Sequence, residues 1–229
     1  MLRVSNLDVY YGESHVIRDV SLTLGDTEAV ALMGRNGVGK TTFLKSLIGM
    51  LSSKSGAIEL DGEQLHNKPS YERVKAGLAF VPQGRMVFPL LTVEENILSG
   101  MTHLSKRAVP DYIYHFFPVL REMSKRKGGN LSGGQQQMMV IARALVSDPK
   151  VLILDEPTEG IQPSIIKELA VTLTELRRER KFAIIVSEQV LSFALDVADR
   201  FLVMDRGEIV HERVKEEVDI EVMRSFLTV

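Results

Sequence analysis

The chain has 229 residues, and its 28 Lys and Arg against 30 Asp and Glu give a formal net charge of −2. With 45% apolar and 25% charged residues it is an ordinary globular sequence, which excludes disordered, collagenous and coiled-coil chains. Balanced charge argues against a dedicated nucleic-acid binder, and the absence of cysteine excludes disulfides, thiolate metal sites and thiol catalysis. At about 150 residues per domain, one domain or one with a subdomain is expected. No run approaches the ~18 apolar residues of a membrane span. The opening Met1-Leu2-Arg3-Val4-Ser5-Asn6 lacks a leader's apolar stretch, so none is expected. A membrane role would have to come through a partner.

Residues 2–12 and 14–24 alternate apolar and polar, which predicts an antiparallel β layer. From 29 onward, short apolar runs alternate with helical patterns. AVALM ends in Gly34, and TTFLKSLIGM follows as a helix. GLAFVP at 77–82, VLILD at 151–155 and FAIIVS at 182–187 read as strands, the continuous apolar runs being those of strands buried on both faces. Residues 164–181 form an amphipathic helix after Pro163, and a further helix is expected near 189–198. FLVMDRGEIVHE reads as two strands joined at Asp205-Arg206-Gly207. This order predicts an α/β fold with a mainly parallel sheet. Residues 84–147 lack buried strands and read as a helical insertion, leaving 1–83 and 148–229 as core and β layer.

Gly34-Arg35-Asn36-Gly37-Val38-Gly39-Lys40-Thr41 fits the phosphate-loop pattern between a strand and a helix. Its glycines let backbone N–H groups curl around phosphate, and the helix start adds positive potential. Lys40 can reach the β- and γ-phosphates, and the Thr41 hydroxyl can ligate Mg²⁺. The plain alternative is a glycine turn that binds nothing. VLILD then delivers Asp155 to hold Mg²⁺ and Glu156 to orient or deprotonate the attacking water. The alternative is a pair of capping carboxylates before Pro157. Ser132, Gly133, Gly134 and Gln135 precede another helix, so Ser132 marks a second anion-suited helix start or an ordinary N-cap.

Four stretches in order, GRNGVGKTT, VPQG, LSGGQ and LDEPT, resemble the ATPase subunits of ATP-binding-cassette (ABC) transporters along essentially the whole chain. The resemblance implies a P-loop core with an antiparallel β layer and a helical subdomain. It extends the ATP contacts to Thr42. It implies that Tyr11, rather than Tyr10, stacks on adenine; the alternative for either is a plain strand tyrosine. Gln83 becomes a residue contacting Mg²⁺ or water at the join to the helical part. Two subunits, identical or different, would pair head to tail, with ATP between the loop around Lys40 of one and Ser132–Gln135 of the other. Two membrane permease subunits and, indirectly, a periplasmic or extracellular solute-binding protein would complete an importer, with this chain on the cytoplasmic face. No nucleic-acid partner is expected.

Two positions depart from the common family pattern. Gln162 stands where an aspartate is usual, and Gln189 where a histidine is usual; a one-residue shift would offer Glu188 instead. A glutamine there resembles the branched-chain amino-acid importers. GRNGVGKTT with DEPTEGIQPSIIKE and FALDVADRFLVMDRGEIV, and the short stretch after 211, resemble the urea-importer branch. The apolar segment Arg85–Val93 is implied to form a groove for a membrane-subunit helix, or else serves the subdomain's own core. His15, His66, His103, His115 and His211 lack ligand spacing and read as surface or loop residues, and Lys125-Arg126-Lys127 as a solvated loop. A soluble ABC protein of DNA repair or translation would carry a coiled-coil insertion or two ATPase halves, neither of which is present. A non-catalytic binding module is opposed by intact Lys40, Asp155 and Glu156.

Overall fold

The computed structural model describes residues 1–101 and 108–227. Its N-terminal layer begins with β1 (Leu2–Tyr11) and β2 (Ser14–Leu24), paired antiparallel as the alternation predicts. Leu2, Val4, Leu7 and Val9 are buried, with a register shift between Val4 and Leu7 where Asn6 takes φ 47°. β4 (Ser53–Leu60) pairs with the other edge of β1, and β5 (Glu63–Gln64) extends it, giving the order β2-β1-β4-β5.

The second sheet has six strands in the order β10-β9-β3-β8-β7-β6. β3 (Ala29–Met33), β6 (Leu78–Val81), β7 (Val151–Asp155), β8 (Ala183–Glu188) and β9 (Arg200–Asp205) run parallel. β10 (Glu208–Val214) closes the edge antiparallel, its turn at Arg206-Gly207. The apolar runs are explained by two cores. Val30, Leu32, Ile153, Ile185 and Leu202 face the β layer and α1 (Lys40–Leu47). The alternate residues, Ala31, Leu152, Leu154, Val186 and Val203, face helices on the opposite side.

Those helices are α6 (Gly133–Leu145), α7 (Pro163–Arg180) and α8 (Leu191–Val197), with α9 (Ile220–Leu227) adding Met223. Pro163 occupies the first turn of α7, where a missing N–H costs nothing. Within 84–147 the described elements are helical: α3 (Val93–Leu98), α4 (Asp111–Phe116), α5 (Pro118–Glu122) and all of α6. Val93, Ile97, Ile113 and Leu120 belong to the same core as the sheet's helical face, so this insertion is packed on the sheet and does not stand apart.

α2 (Ser70–Ala76) buries a charge that polarity alone would place in solvent. Arg73 is 2% exposed, and its guanidinium donates to four carbonyls: Lys68 (2.9 Å), Ser46 (2.8 Å), Leu47 (2.9 Å) and His66 (2.8 Å). Two of these end α1, the helix that opens at the phosphate loop, where a cation also complements the helix dipole. Arg73→Ala is expected to lower unfolding free energy by about 3 kcal/mol, since buried carbonyls lose a charged donor. Urea denaturation measures this; a loss below about 0.5 kcal/mol would mean that water replaces the guanidinium freely.

The histidines follow no ligand pattern. His15 lies in β2, part-buried, its ring stacked on Tyr10 at 4.2 Å and its Nε2 2.7 Å from Asp8. His103 lies outside the described residues. Among the described residues no group of three His, Cys, Asp or Glu could hold a metal ion. Lys125, Arg126 and Lys127 are exposed, as expected.

Candidate nucleotide site

The parallel order β3-β8-β7-β6 brings four strand ends to one edge, where such sheets bind ligands. β3 ends in the glycine loop, β8 at Gln189, β7 at Asp155 and Glu156, and β6 just before Gln83. Gly34 has φ 146°, and a Cβ there would come within 2.4 Å of the Met204 carbonyl oxygen, so only glycine fits. Gly39, at φ 118°, begins α1 without a side-chain cap. The N–H groups of Lys40, Thr41 and Thr42 therefore lack helical acceptors. They border a cavity of about 320 Å³, completed by Val16, Asn36, Gly37, Gly39, Gln83 and Glu156.

Lys40 is 4% exposed, with Nζ 2.8 Å from the Gly34 carbonyl, 2.9 Å from that of Arg35 and 3.5 Å from Glu156 Oε1. Burial pushes its ammonium pKa down, opposed by the nearby carboxylates of Glu156, Asp155 and Glu188. Asp155, 1% exposed, accepts through Oδ1 from the hydroxyls of Ser187 (2.6 Å) and Thr41 (3.1 Å). Burial pushes its carboxyl up, against these two hydrogen bonds. Its Oδ2 is buried without a partner. An orphaned carboxylate oxygen beside a threonine hydroxyl is an oxygen donor set that fits a hard cation such as Mg²⁺.

Glu156 sits at φ 46°, an unfavourable backbone for a glutamate, and its N–H donates to the Ser187 carbonyl at 3.0 Å. Gln189 uses both amide protons here: Nε2 lies 2.7 Å from Glu156 Oε1 and 2.6 Å from Asn36 Oδ1. Gln83 Nε2 donates to Glu156 Oε2 at 3.2 Å. Lys40, Asn36, Gln83, Glu156 and Gln189 thus converge on one cavity edge. Glu188, the one-residue alternative, is buried in β8 behind this network, where it accepts from the Gln189 N–H and the Thr158 hydroxyl, and burial pushes its carboxyl up.

Ser132 lies elsewhere. It caps α6 in a reciprocal box, Gln135 N–H to Ser132 Oγ at 3.3 Å and Ser132 N–H to Gln135 Oε1 at 3.0 Å. The adjoining glycines have packing reasons: a Cβ on Gly134 would meet Ile165 at 2.8 Å, and one on Gly133 the Arg85 guanidinium at 3.1 Å. None of Ser132–Gln135 lines the cavity around Lys40. Tyr11 is exposed at the end of β1, whereas the Tyr10 ring stacks on His15 with Lys54 Nζ 4.4 Å from its centroid. Gln162 precedes the first turn of α7 as its N-cap residue.

The segment after Gln83 divides. Val93 and Val87 turn into the core, while Met86, Phe88 and Leu90 are exposed by 62%, 48% and 78%. Met86 and Phe88 border a groove of about 410 Å³ with Val74, Phe80, Pro82 and Val140. The core reading holds for Val87 and Val93, while Met86, Phe88 and Leu90 remain on the surface. Sequence reasoning missed Ser187, which joins Asp155 to Glu156; a polar residue closing the apolar run IIVS was its only signal.

A glycine loop between strand and helix, with Asp155 and Glu156 delivered beside it, defines a nucleoside-triphosphate-hydrolysing cassette. Residues 17–159 match the ABC transporter family model, and the chain belongs to that family. It is an ATPase. It is 41% identical over 213 residues to the high-affinity branched-chain amino acid transport ATP-binding protein BraG of Pseudomonas aeruginosa, covering 92% of this chain and 91% of that one. It is 37% identical over 212 residues to the probable branched-chain amino acid transport ATP-binding protein LivF of Archaeoglobus fulgidus, covering 91% and 90%. The solved ADP conformation of an ATP-binding cassette of an ABC transporter superposes with a TM-score of 0.84 at 26% identity, covering 99% of this chain and 94% of that one. No helix among the described residues is long and apolar enough to cross a membrane.

Proposed function

We propose that this ATPase drives solute import as one of two cassettes that clasp ATP between them. The observation that carries the reading is the separation of two phosphate-suited helix starts on one chain. Lys40 and Glu156 border one cavity, and Ser132–Gln135 lie outside it, available to a second chain, identical or related. Lys40 and the N–H groups of α1 bind the β- and γ-phosphates, Glu156 takes the proton of the attacking water, and Gln189 donates to the γ-phosphate. Tyr11 stacks on adenine. Thr41 and Asp155, with Gln83 beside them, would hold Mg²⁺, which when bound neutralises phosphate charge.

The groove beside Phe88 receives a helix of a membrane permease subunit, placing the chain on the cytoplasmic face of the membrane. The division of 84–147 from the remainder belongs to the same reading, since the groove lies at that join. The relatives named for branched-chain amino acid transport support solutes of that class, received from a solute-binding protein. Urea or a related short amide is the narrower reading, and it rests on the likeness of residues 34–42, 155–168 and 193–210 and on the short stretch after 211. Uptake of labelled leucine and labelled urea by cells carrying the whole transporter separates the two. A Phe88→Cys chain is expected to crosslink to an integral membrane subunit in the same cells; label found only on soluble proteins would overturn the groove's assignment.

A further inference from the structure

Glu188 is a buried carboxylate for which ATP chemistry has no direct use. It ends β8 at 2% exposure, and its three hydrogen-bond donors come from the two segments that carry Glu156 and Gln189. Its Oε1 accepts the N–H groups of Gln189 at 2.7 Å and Val190 at 3.0 Å. Its Oε2 accepts the Thr158 hydroxyl at 2.7 Å. Thr158 is 4% exposed and stands two residues beyond Glu156. A carboxylate taken out of water is costly unless donors replace the lost water, and here the replacements all serve one junction.

We propose that Glu188 is a positioning residue that joins the Glu156 segment to the Gln189 segment through Thr158 and so sets both side chains for ATP hydrolysis. The β7–β8 ladder ends at Asp155 paired with Ser187, while β8 runs one residue further, to Glu188 paired with Met33 of β3. The Thr158–Glu188 bond is a side-chain rung just past that end. It restrains the carboxyl side of Glu156, whose φ of 46° needs support, while Ser187 restrains the amide side. On the other segment the carboxylate fixes the Gln189 backbone, from which Nε2 reaches Glu156 and Asn36. The proposal rests on the reading that Glu156 and Gln189 serve hydrolysis.

The test is steady-state ATP turnover of the full chain with Thr158→Val, which keeps the side-chain volume and removes the hydroxyl. A small misplacement of catalytic groups is costly, so kcat is expected to fall about tenfold while KM for ATP stays within about twofold, because the Lys40 loop is untouched. Thr158→Ser is expected to restore kcat. In a Gln189→Ala background, itself about tenfold slow, Thr158→Val is expected to add less than about twofold. A wild-type kcat for Thr158→Val beside a slow Gln189→Ala overturns this proposal alone. A wild-type rate for Gln189→Ala overturns the underlying assignment of Gln189 and the proposal with it. Failure of Thr158→Ser to rescue also overturns the proposal. Should Thr158→Val not fold, Thr158→Ala, which introduces no clash, carries the same expectations.

Discussion

Replacing Glu156 with glutamine is expected to lower ATP turnover by roughly 10²- to 10⁴-fold, the range a general base contributes, and to leave ATP bound. The substitution is isosteric, so Gln83 and Gln189 stay within reach, but the group can no longer take a proton from water. It also removes a negative charge 3.5 Å from Lys40 Nζ, at the edge of the cavity where the terminal phosphate would add more. ATP affinity is therefore held or raised. If ATP is shared between two chains, unhydrolysed nucleotide keeps the pair closed, and the variant accumulates as a dimer with ATP and not with ADP. Phosphate release measures the first effect and light scattering the second. Turnover above about a tenth of wild type would move the base elsewhere. An ATP-loaded variant that stays monomeric even with its membrane partners would sink the shared-site reading.

What the sequence made legible is what local pattern determines. VLILD is apolar at every position because β7 is covered on both faces, and that signal needs no knowledge of the neighbours. The glycine loop was readable because Gly34 and Gly39 satisfy backbone demands set by the loop itself. β4 was not foreseen: of SKSGAIEL only Ile58 and Leu60 are buried, too few to show a period. Arg73 hid in the opposite way, since a charged residue on a short helix reads as solvated until its carbonyl partners are known. Ser187, Thr158 and Glu188 act through partners about 30 residues away in sequence, a distance no local pattern spans. The two glycines after Ser132 point to phosphate on sequence grounds, yet packing also accounts for them: Ile165 leaves too little room for a side chain on Gly134, and the Arg85 guanidinium crowds Gly133.

Lys40→Met separates what the lysine does for ATP from what it does for the fold. Its ammonium is nearly buried, and burial pushes its pKa below the ordinary lysine value even with Glu156, Asp155 and Glu188 nearby. A lysine whose folded pKa is lowered is charged more easily in the unfolded chain. At neutral pH the charge therefore opposes folding, and the penalty fades only as pH rises above the folded value toward the ordinary one. A methionine of similar length carries no such penalty, but it leaves the buried Gly34 carbonyl without its donor, while the Arg35 carbonyl lies in an exposed part of the loop. The relieved charge burial and the lost donor oppose each other, so the thermal midpoint at pH 7 is expected to stay within about 4 °C of wild type. Function changes far more: removing a charge aimed at the phosphates is expected to cost about 10²- to 10³-fold in turnover, and a lost charged hydrogen bond about 10- to 100-fold in ATP affinity. Calorimetric melting and ATP titration on one preparation measure both. A midpoint lower by more than about 4 °C would make Lys40 a structural support, and wild-type affinity would remove it from the phosphate site.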